Sequence, residues 1–501
     1  MANFKKFVSE SSNYGKLILL VGLLVAAPLA VVPFYPEDGK YISAFLLPSA
    51  VSVVLGLVLC FCAPRKEKPA TQWQSPLQKG SLPVMFAWCF AFFAGAAPFM
   101  LGGQLNFMLA LFESVSGWTT TGLTVADVAL MPHIFLFHRA FMQYCGGLGF
   151  IIMIAMLVQN RQNMNLYSAE GHPDRIMPSL KRTSQIIFLL YSCFLAAGSL
   201  AYRLFGMKLF DALCHSMCAL STAGFTTQAE SIGGYHSLAI EITTVALMLV
   251  GSTNFSVLLL LVKGKFRKIL RVSEVRFMIG LICVFVPLAA FSLMHKMGMG
   301  IREGLINSLF GVVTTFTTTG YSTMDYSLWP PFALGLLMAL MIIGGSVGST
   351  AGGIKLLRAY LLIRITKENV KTRISPARKV TELTYFRAQG QMPVDNAIVK
   401  DTFGFVACYM GVFIVGTLLL TLTADCPLFD AMFEFASAFG TVGISNGLTN
   451  AGASAGSLVV LMSGMILGRL EVFIVFIGIY AAISLARQKI AKEYANMKAS
   501  G

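Results

Sequence analysis

Apolar residues in this chain fall into runs of two lengths, and the two lengths alternate. Long runs lie near 16–34, 42–63, 82–101, 137–159, 185–204, 238–262, 276–295, 332–361, 402–423 and 457–486. A helix needs about 20 residues to cross ~30 Å of hydrocarbon, and each of these runs is of that order. Shorter runs near 105–117, 209–219, 304–315 and 428–439 cannot span, and each lies between two long ones. Backbone at membrane depth must be satisfied inside the protein, so the short runs read as re-entrant half-helices or buried connectors. The pattern predicts an all-α polytopic membrane protein with about ten transmembrane helices. Ten is even, which places both termini on one side.

A turn of common design follows each short run. The turns read Trp118-Thr119-Thr120-Thr121-Gly122-Leu123, Leu220-Ser221-Thr222-Ala223-Gly224-Phe225, Phe316-Thr317-Thr318-Thr319-Gly320-Tyr321 and Phe439-Gly440-Thr441-Val442-Gly443-Ile444. Their glycines are 102, 96 and 123 residues apart, about two spans and a hairpin. Two residues before the glycine stands Thr120, Thr222, Thr318 or Thr441, without exception. Thirteen residues before it stand Asp211, Asn307 and Asp430 in the last three repeats, where Asp and Asn suit a helix N-cap. The first repeat has Leu109 there and is expected to lack that cap. One Thr-Gly turn would be an ordinary outer loop; four, each after a short apolar helix and between two spans, point to a pore. Four such turns around one axis would present a ring of backbone carbonyls able to replace the water around a cation. Glycine permits the backbone angles and the close approach this needs. Oxygen-only ligation suits a hard monovalent cation, and helix C-termini aimed at the path favour it over an anion. The threonine side chains can bond adjacent backbone or face the ion.

Charge adds orientation. Of 501 residues 56% are hydrophobic and 12% charged, and the net charge is +15. Such a balance would suggest nucleic acid in a soluble protein. Here 31 of the 38 lysines and arginines lie at the termini or in the loops on the same side. Lys263 to Arg276 and Lys355 to Lys400 are the densest stretches. That is the positive-inside bias, so both termini are expected in the cytoplasm. No nucleic-acid partner follows from it, and no cleavable signal peptide is evident. The ten cysteines form no C-x-x-C pair and the six histidines have no ligand spacing, so no structural metal is expected.

Two features lie near the turns. In the eighth long run, Gly344, Gly345, Gly348, Gly352 and Gly353 alternate with Ser346, Ser349 and Thr350. Each glycine disfavours helix by about 1 kcal/mol relative to alanine, so the run is expected to break. Non-helical backbone at that depth lines a cavity or is buried by protein, giving a movable barrier or small-residue helix packing. Arg469 lies near the middle of the last run, where a charge marks a functional site by default. It is expected to face the cavity below the turns and bond the broken loop. Glu471, two residues on, is on another helix face. Lys355 either belongs to the barrier or begins the basic face. Asp127, Glu230 and Asp325 follow three of the glycines and would form an outer funnel if not simply solvated. Glu113 and Glu434, nine residues before their glycines, are expected to brace the turns.

These residues together resemble the Trk/Ktr/HKT superfamily of potassium transporters, in its TrkH-like membrane-subunit branch. Gly146-Gly147-Leu148-Gly149-Phe150 resembles that family's glycine signature, residues 344–355 its intramembrane loop, and Leu467-Gly468-Arg469-Leu470-Glu471 its basic cavity motif. The resemblance implies two N-terminal spans (1–70) and four membrane–pore-loop–membrane repeats (71–165, 166–270, 271–400, 401–501) around one pore per subunit. It implies potassium uptake across the cytoplasmic (inner) membrane, a homodimer, and a TrkA-like cytosolic partner binding nucleotide. The potassium-binding residues it implies are Thr119, Thr120, Thr121, Gly122, Ser221, Thr222, Ala223, Gly224, Thr317, Thr318, Thr319, Gly320, Gly440, Thr441, Val442 and Gly443. The gate it implies comprises the residues of the broken run, Lys355 and Arg469. Glycine in all four turns goes, in that family, with potassium rather than sodium. The transported ion is K+; no cofactor is expected in this chain, and the other partner is membrane lipid.

Two rivals remain at this stage. An enzyme would explain Gly443-Ile444-Ser445-Asn446-Gly447, a nucleophile-elbow match, but that motif needs a strand before it and a His and Asp nearby. An ion-coupled secondary transporter of a small solute also uses broken helices, usually two in matched halves, where the sequence shows one conspicuous break.

Overall fold

The computed structural model describes residues 13–62, 76–149, 180–374, 383–484 and 487. Helices α1 (Asn13–Ala26) and α2 (Ile42–Cys62) form an antiparallel pair. They approach closely because small residues face each other: a Cβ on Gly56 would overlap Leu19, and one on Gly22 would overlap Ser52. The Ser49 hydroxyl donates to the Gly22 carbonyl at 2.8 Å, a polar tie across the same seam.

The remaining helices repeat one order: long helix, short helix, turn, second helix. The first repeat has α3 (Pro76–Leu101), α4 (Phe107–Trp118) and α5 (His133–Leu148). The second has α6 (Leu180–Leu204), α7 (Leu209–Leu220), α8 (Leu238–Gly251) and α9 (Phe255–Val262). After a four-residue helix α10 (Phe266–Ile269), the third has α11 (Ser273–Met297), α12 (Ile301–Phe316), α13 (Pro331–Ile343) and α14 (Leu356–Ile374). The fourth has α15 (Asn396–Ala424), α16 (Leu428–Phe439), α17 (Ala455–Arg469) and α18 (Val472–Ser484). Short helices pack between the two helices of their own repeat, and their inner residues are buried. Large apolar side chains stay exposed on the long helices, among them Phe93, Leu189, Phe291 and Leu418, as expected of a lipid-facing surface.

Several expectations need correction. Among the described residues six helical stretches are long and apolar enough to span unbroken: Tyr14–Val31, Pro36–Phe61, Ser81–Leu101, Lys181–Leu204, Ser273–Met297 and Asn396–Ala424. The runs 238–262 and 457–486 are not straight spans: α8 meets α9 at 117° and α17 meets α18 at 101°. Helix α5 ends at Leu148 with Gly149 at φ 81°; Phe150 and the rest of the fourth run lie outside the described residues. A two-stranded antiparallel hairpin, β1 (Thr384–Arg387) with β2 (Gly390–Pro393), lies between α14 and α15. Tyr385 of β1 packs on Leu357, Leu361 and Ile365 of α14, which gives this short hairpin its stability.

The cap expectation also fails. Asp211 and Asp430 sit three residues into α7 and α16, inside the first turn, while Lys208 and Pro427 hold the cap positions. There a carboxylate still complements the helix N-terminus. Asn307 lies mid-helix, because α12 starts earlier, at Ile301. The first repeat, expected to lack a cap, has one: Asn106 accepts from the Leu109 amide at 3.0 Å.

Candidate functional site

Each short helix ends the same way, and that ending builds the site. In α4 the Thr120 amide donates to the Gly117 carbonyl (3.1 Å) and the Thr121 amide to Ser116 (2.9 Å). The same two bonds recur from Thr222 and Ala223 to Ala219 and Cys218, from Thr318 and Thr319 to Thr315 and Thr314, and from Thr441 and Val442 to Ala438 and Ser437. This is a Schellman ending, in which a left-handed residue follows the helix and two amides fold back onto its last carbonyls. Thr120, Thr222, Thr318 and Thr441 take that left-handed place, with φ of 56°, 51°, 56° and 51°. Glycine is usual there, since a β-branched residue at positive φ is strained.

With the amides turned back, the carbonyls face away from the helix. Gly122, Gly224, Gly320 and Gly443 then adopt φ of 93°, 83°, 83° and 89°. A Cβ on Gly122 would overlap the Ala223 carbonyl oxygen, one on Gly224 that of Thr319, one on Gly320 that of Val442, and one on Gly443 that of Thr121. Turn one thus meets turn two, two meets three, three meets four, and four meets one. The turns close a ring of main-chain oxygens from Thr121, Ala223, Thr319 and Val442, each against the preceding turn's glycine. No side chain larger than hydrogen fits at those glycines.

The rest of each turn is fully buried. Hydroxyls in the first and third turns form matching ladders: Thr119 donates to Val115 (2.7 Å) and lies 2.8 Å from Thr121, and Thr317 donates to Val313 (2.7 Å) and lies 2.9 Å from Thr319. Ser221 donates to Met217 at 2.8 Å, and Gly440 has no hydroxyl to give. The ring is therefore nearly fourfold in its backbone and less so in its side chains.

The 344–355 segment, between α13 and α14, packs against the threonines of this ring. Thr350 Oγ1 lies 3.0 Å from Thr222 Oγ1, and the Gly352 amide donates to Thr318 Oγ1 at 3.0 Å. A Cβ on Gly352 would overlap Thr441 Oγ1. Gly344 (φ 70°) and Gly353 (φ 76°) cross in close backbone contact, so the segment is a compact knot. Its first half is clamped from outside. Val347 donates its amide to Glu274 (3.1 Å) and accepts from Asn254 Nδ2 (2.5 Å), while Ser346 donates to the Ser252 carbonyl (3.0 Å). Ser349 donates to Ser346 within the knot at 2.7 Å. Gly345, against Ser252 and Ala351, has no room for a side chain, and Gly348 (φ 70°) accepts from the Phe255 amide at 3.3 Å.

Arg469, the last residue of α17, joins this knot to the first repeat. Its guanidinium donates to the Thr350 carbonyl and to the Gly146 (2.5 Å) and Gly147 (3.2 Å) carbonyls. Lys355, at φ 84°, turns its ammonium back onto the Ala351 carbonyl within the same segment. Glu471 pairs with Arg358 at 3.0 Å.

The geometry fits what the chain resembles. The family model described as TrkH, cation transport protein, matches residues 50–491. The chain belongs to that family. It is 29% identical to the Trk system potassium uptake protein TrkG of Escherichia coli K12 over 483 residues, covering 92% of this chain and 96% of that one. The Trk system potassium uptake protein TrkH of the same strain is also 29% identical, covering 91% and 95%. The crystal structure of the potassium transporter TrkH from Vibrio parahaemolyticus matches with a TM-score of 0.80 at 27% identity, over 92% of this chain and 96% of that one. TrkH proteins are transport proteins, not enzymes. In this TrkH-family chain the nucleophile-elbow serine, Ser445, gives its hydroxyl to Glu434 at 2.8 Å.

The two glutamates are placed behind the ring. Glu113 accepts from Thr124 Oγ1 (2.9 Å) and the Val125 amide (3.1 Å); Glu434 accepts from Ser445, the Asn446 amide (3.0 Å) and Thr449. Sequence reasoning missed what neutralises Glu113. Arg139 of α5 lies 2.6 Å from it, donates to Thr124 (2.9 Å) and the Thr226 carbonyl (3.1 Å), and stacks on Phe225 at 4.0 Å. Both partners are essentially inaccessible. An arginine seven residues into a helix that follows a turn was the available signal. Asp127 and Asp325 are exposed and cap short helical turns, accepting from Ala129 (3.0 Å) and Ser327 (2.8 Å).

Proposed function

We propose that this chain takes up potassium across the cytoplasmic membrane through the ring, which acts as its selectivity filter. The observation that carries this reading is the closed sequence of four turns, each offering a carbonyl that, among the described residues, accepts from no main-chain amide. A dehydrated cation gains those oxygens in place of water, and a ring spaced by glycines holds them without side chains in the way. Thr119 to Gly122, Ser221 to Gly224, Thr317 to Gly320 and Gly440 to Gly443 supply the sites for K+ in this reading.

The 344–355 knot is the gate. It fills the space against the filter threonines, and Arg469 holds it there while placing a positive charge on the path below. Opening requires breaking the Arg469–Thr350 contact and the Val347 clamp together. The names of the similar proteins place them in a potassium uptake system, and a homodimer with a TrkA-like, nucleotide-binding cytosolic subunit is the assembly that fits. Such a subunit would dock on the basic stretches 263–276 and 355–400, with both termini on the same, cytoplasmic side.

An ion-coupled transporter of a small solute keeps one point in its favour. Helices α8/α9 and α17/α18 are broken as well as the third repeat's second helix, and paired breaks are common in such proteins. Rubidium uptake into proteoliposomes holding the chain and its cytosolic partner separates the two. Uptake driven by the membrane potential and competed by potassium supports the pore. Silence toward every alkali cation with partner and nucleotide present would end it.

A further inference from the structure

The backbone of the ring is nearly fourfold, but one side chain breaks that equivalence at a single carbonyl. Gln143 of α5 is fully buried and reaches across to the second turn. Its Nε2 donates to the Ala223 carbonyl at 2.8 Å, and its Oε1 accepts from the Phe225 amide at 3.0 Å. The amide orientation is fixed by its partners, since a carbonyl needs a donor and an N–H needs an acceptor. Among the described residues no other side chain donates to a ring carbonyl.

What stands at the same place in other repeats shows how unusual this is. A Cβ on Gly146, Gly251 or Gly468 would overlap the last carbonyl of the short helix in its own repeat, at Trp118, Leu220 and Phe439 respectively. Those three glycines therefore align the second helices of repeats one, two and four. Three residues earlier stand Gln143, Met248 and Met465, all fully buried. Two repeats put an apolar thioether behind the ring, and the first puts a hydrogen-bonding amide there.

Resting on the filter reading above, we propose that Gln143 is a specificity-determining positioning residue. It tethers the Ala223 carbonyl and the amide just beyond Gly224, so that one ring oxygen is fixed in distance and shares its electron density between the ion and a hydrogen-bond donor. A carbonyl already accepting a hydrogen bond is less free to swing inward around a smaller ion. Discrimination between potassium and sodium is thereby set partly from the first repeat, through an atom of the second.

The test uses cells lacking their own potassium uptake and expressing the full chain alongside its native cytosolic partner. The readouts are the rubidium-to-sodium uptake ratio, the potassium KM and maximal rate, the amount of protein in the membrane, and its melting temperature in detergent. Gln143→Met, which gives repeat one the residue of repeats two and four, is expected to lower the ratio at least threefold with protein amount unchanged. Met465→Leu is the packing control at the equivalent position, and its ratio should stay within twofold of the parent. If Gln143→Met does not accumulate, Gln143→Asn gives the same readout, because its amide is one methylene too short to span both groups. An unchanged ratio in these variants, or an equal fall in Met465→Leu, overturns the proposal while leaving the filter intact. A parent chain that moves no alkali cation overturns the filter reading and this one with it.

Discussion

The four turns are alike, whereas the helices that follow them end in different ways. Every turn has the same two folded-back amides, the same left-handed threonine and the same glycine against its neighbour. The second helices instead stop at Gly149, bend by 117° at Ser252–Asn254, open into a twelve-residue knot at 344–355, and bend by 101° after Arg469. The difference follows from what each part contacts. A ring closes only if each member makes the same contact with the next, so variation at one turn disturbs the junctions on both its sides. Below it, only one segment fits the central space, and the other helices must yield room to it and hold it. Symmetry is imposed where four turns must close on one another, and it is lost where one segment must be clamped.

Substitutions at the ring glycines attack the symmetric half and have the largest expected effect. Gly122→Ala, Gly224→Ala, Gly320→Ala and Gly443→Ala each force a Cβ onto a neighbouring carbonyl at a positive φ that alanine resists. Each should abolish potassium-dependent growth at limiting potassium, and the four should be indistinguishable. One tolerated substitution would show that the ring's members are not equivalent.

The second prediction probes what holds the ring from behind. Arg139→Leu leaves Glu113 buried and unpaired, which costs about 3–5 kcal/mol. A fall in melting temperature should accompany it, and the double change Arg139→Leu with Glu113→Gln should recover much of that loss. Glu434, which relies on Ser445, Asn446 and Thr449, offers a contrast. Glu434→Gln should be milder, since it leaves no buried charge without its partner.

Third comes the asymmetric half. Arg469→Gln removes charge-assisted bonds to Thr350, Gly146 and Gly147, each worth about 1.5–3 kcal/mol. If even one such bond is made only in the closed state, the open fraction should rise about tenfold. Rubidium flux without the cytosolic partner reads this directly. A flux that falls instead would make Arg469 a ring support rather than a latch.

The two halves were unequally legible in the sequence. The turns could be found because a ring demands particular residues at fixed spacing, and four out of four threonines carried that demand. Their conformation could not be found, since nothing local reveals that Thr120 takes a backbone shape usually given to glycine. The knot was legible through its glycines. The breaks at Ser252–Thr253–Asn254 and Leu470–Glu471 were not, because a window of span length averages two or three polar residues away. Asn254 is the N-cap that restarts the chain as α9, accepting from Ser256 at 2.7 Å. Caps were misplaced for a related reason. Counting back from the glycines fixed Asp211 and Asp430 in register, but where a helix starts depends on the loop before it. Arg139 escaped notice because its value lies in partners 26 and 87 residues away.

The smallest expected effect lies outside the ring, at Asp127 and Asp325, and it separates local from long-range roles. Both carboxylates cap short turns, so replacing either with alanine should cost about 1 kcal/mol of local stability. As exposed charges near the entrance they would also raise the local concentration of cations. That second role is screened by salt over about 8–10 Å, whereas a cap is not. Asp127→Ala with Asp325→Ala should raise the potassium KM about twofold at low ionic strength and leave it unchanged at high. Asparagine keeps the capping oxygen and removes the charge, so the Asn pair should reproduce the KM shift without the loss of stability. If the Asn pair behaves like the parent at every salt concentration, these acids are caps alone, and entry is governed by the ring and not by a funnel above it.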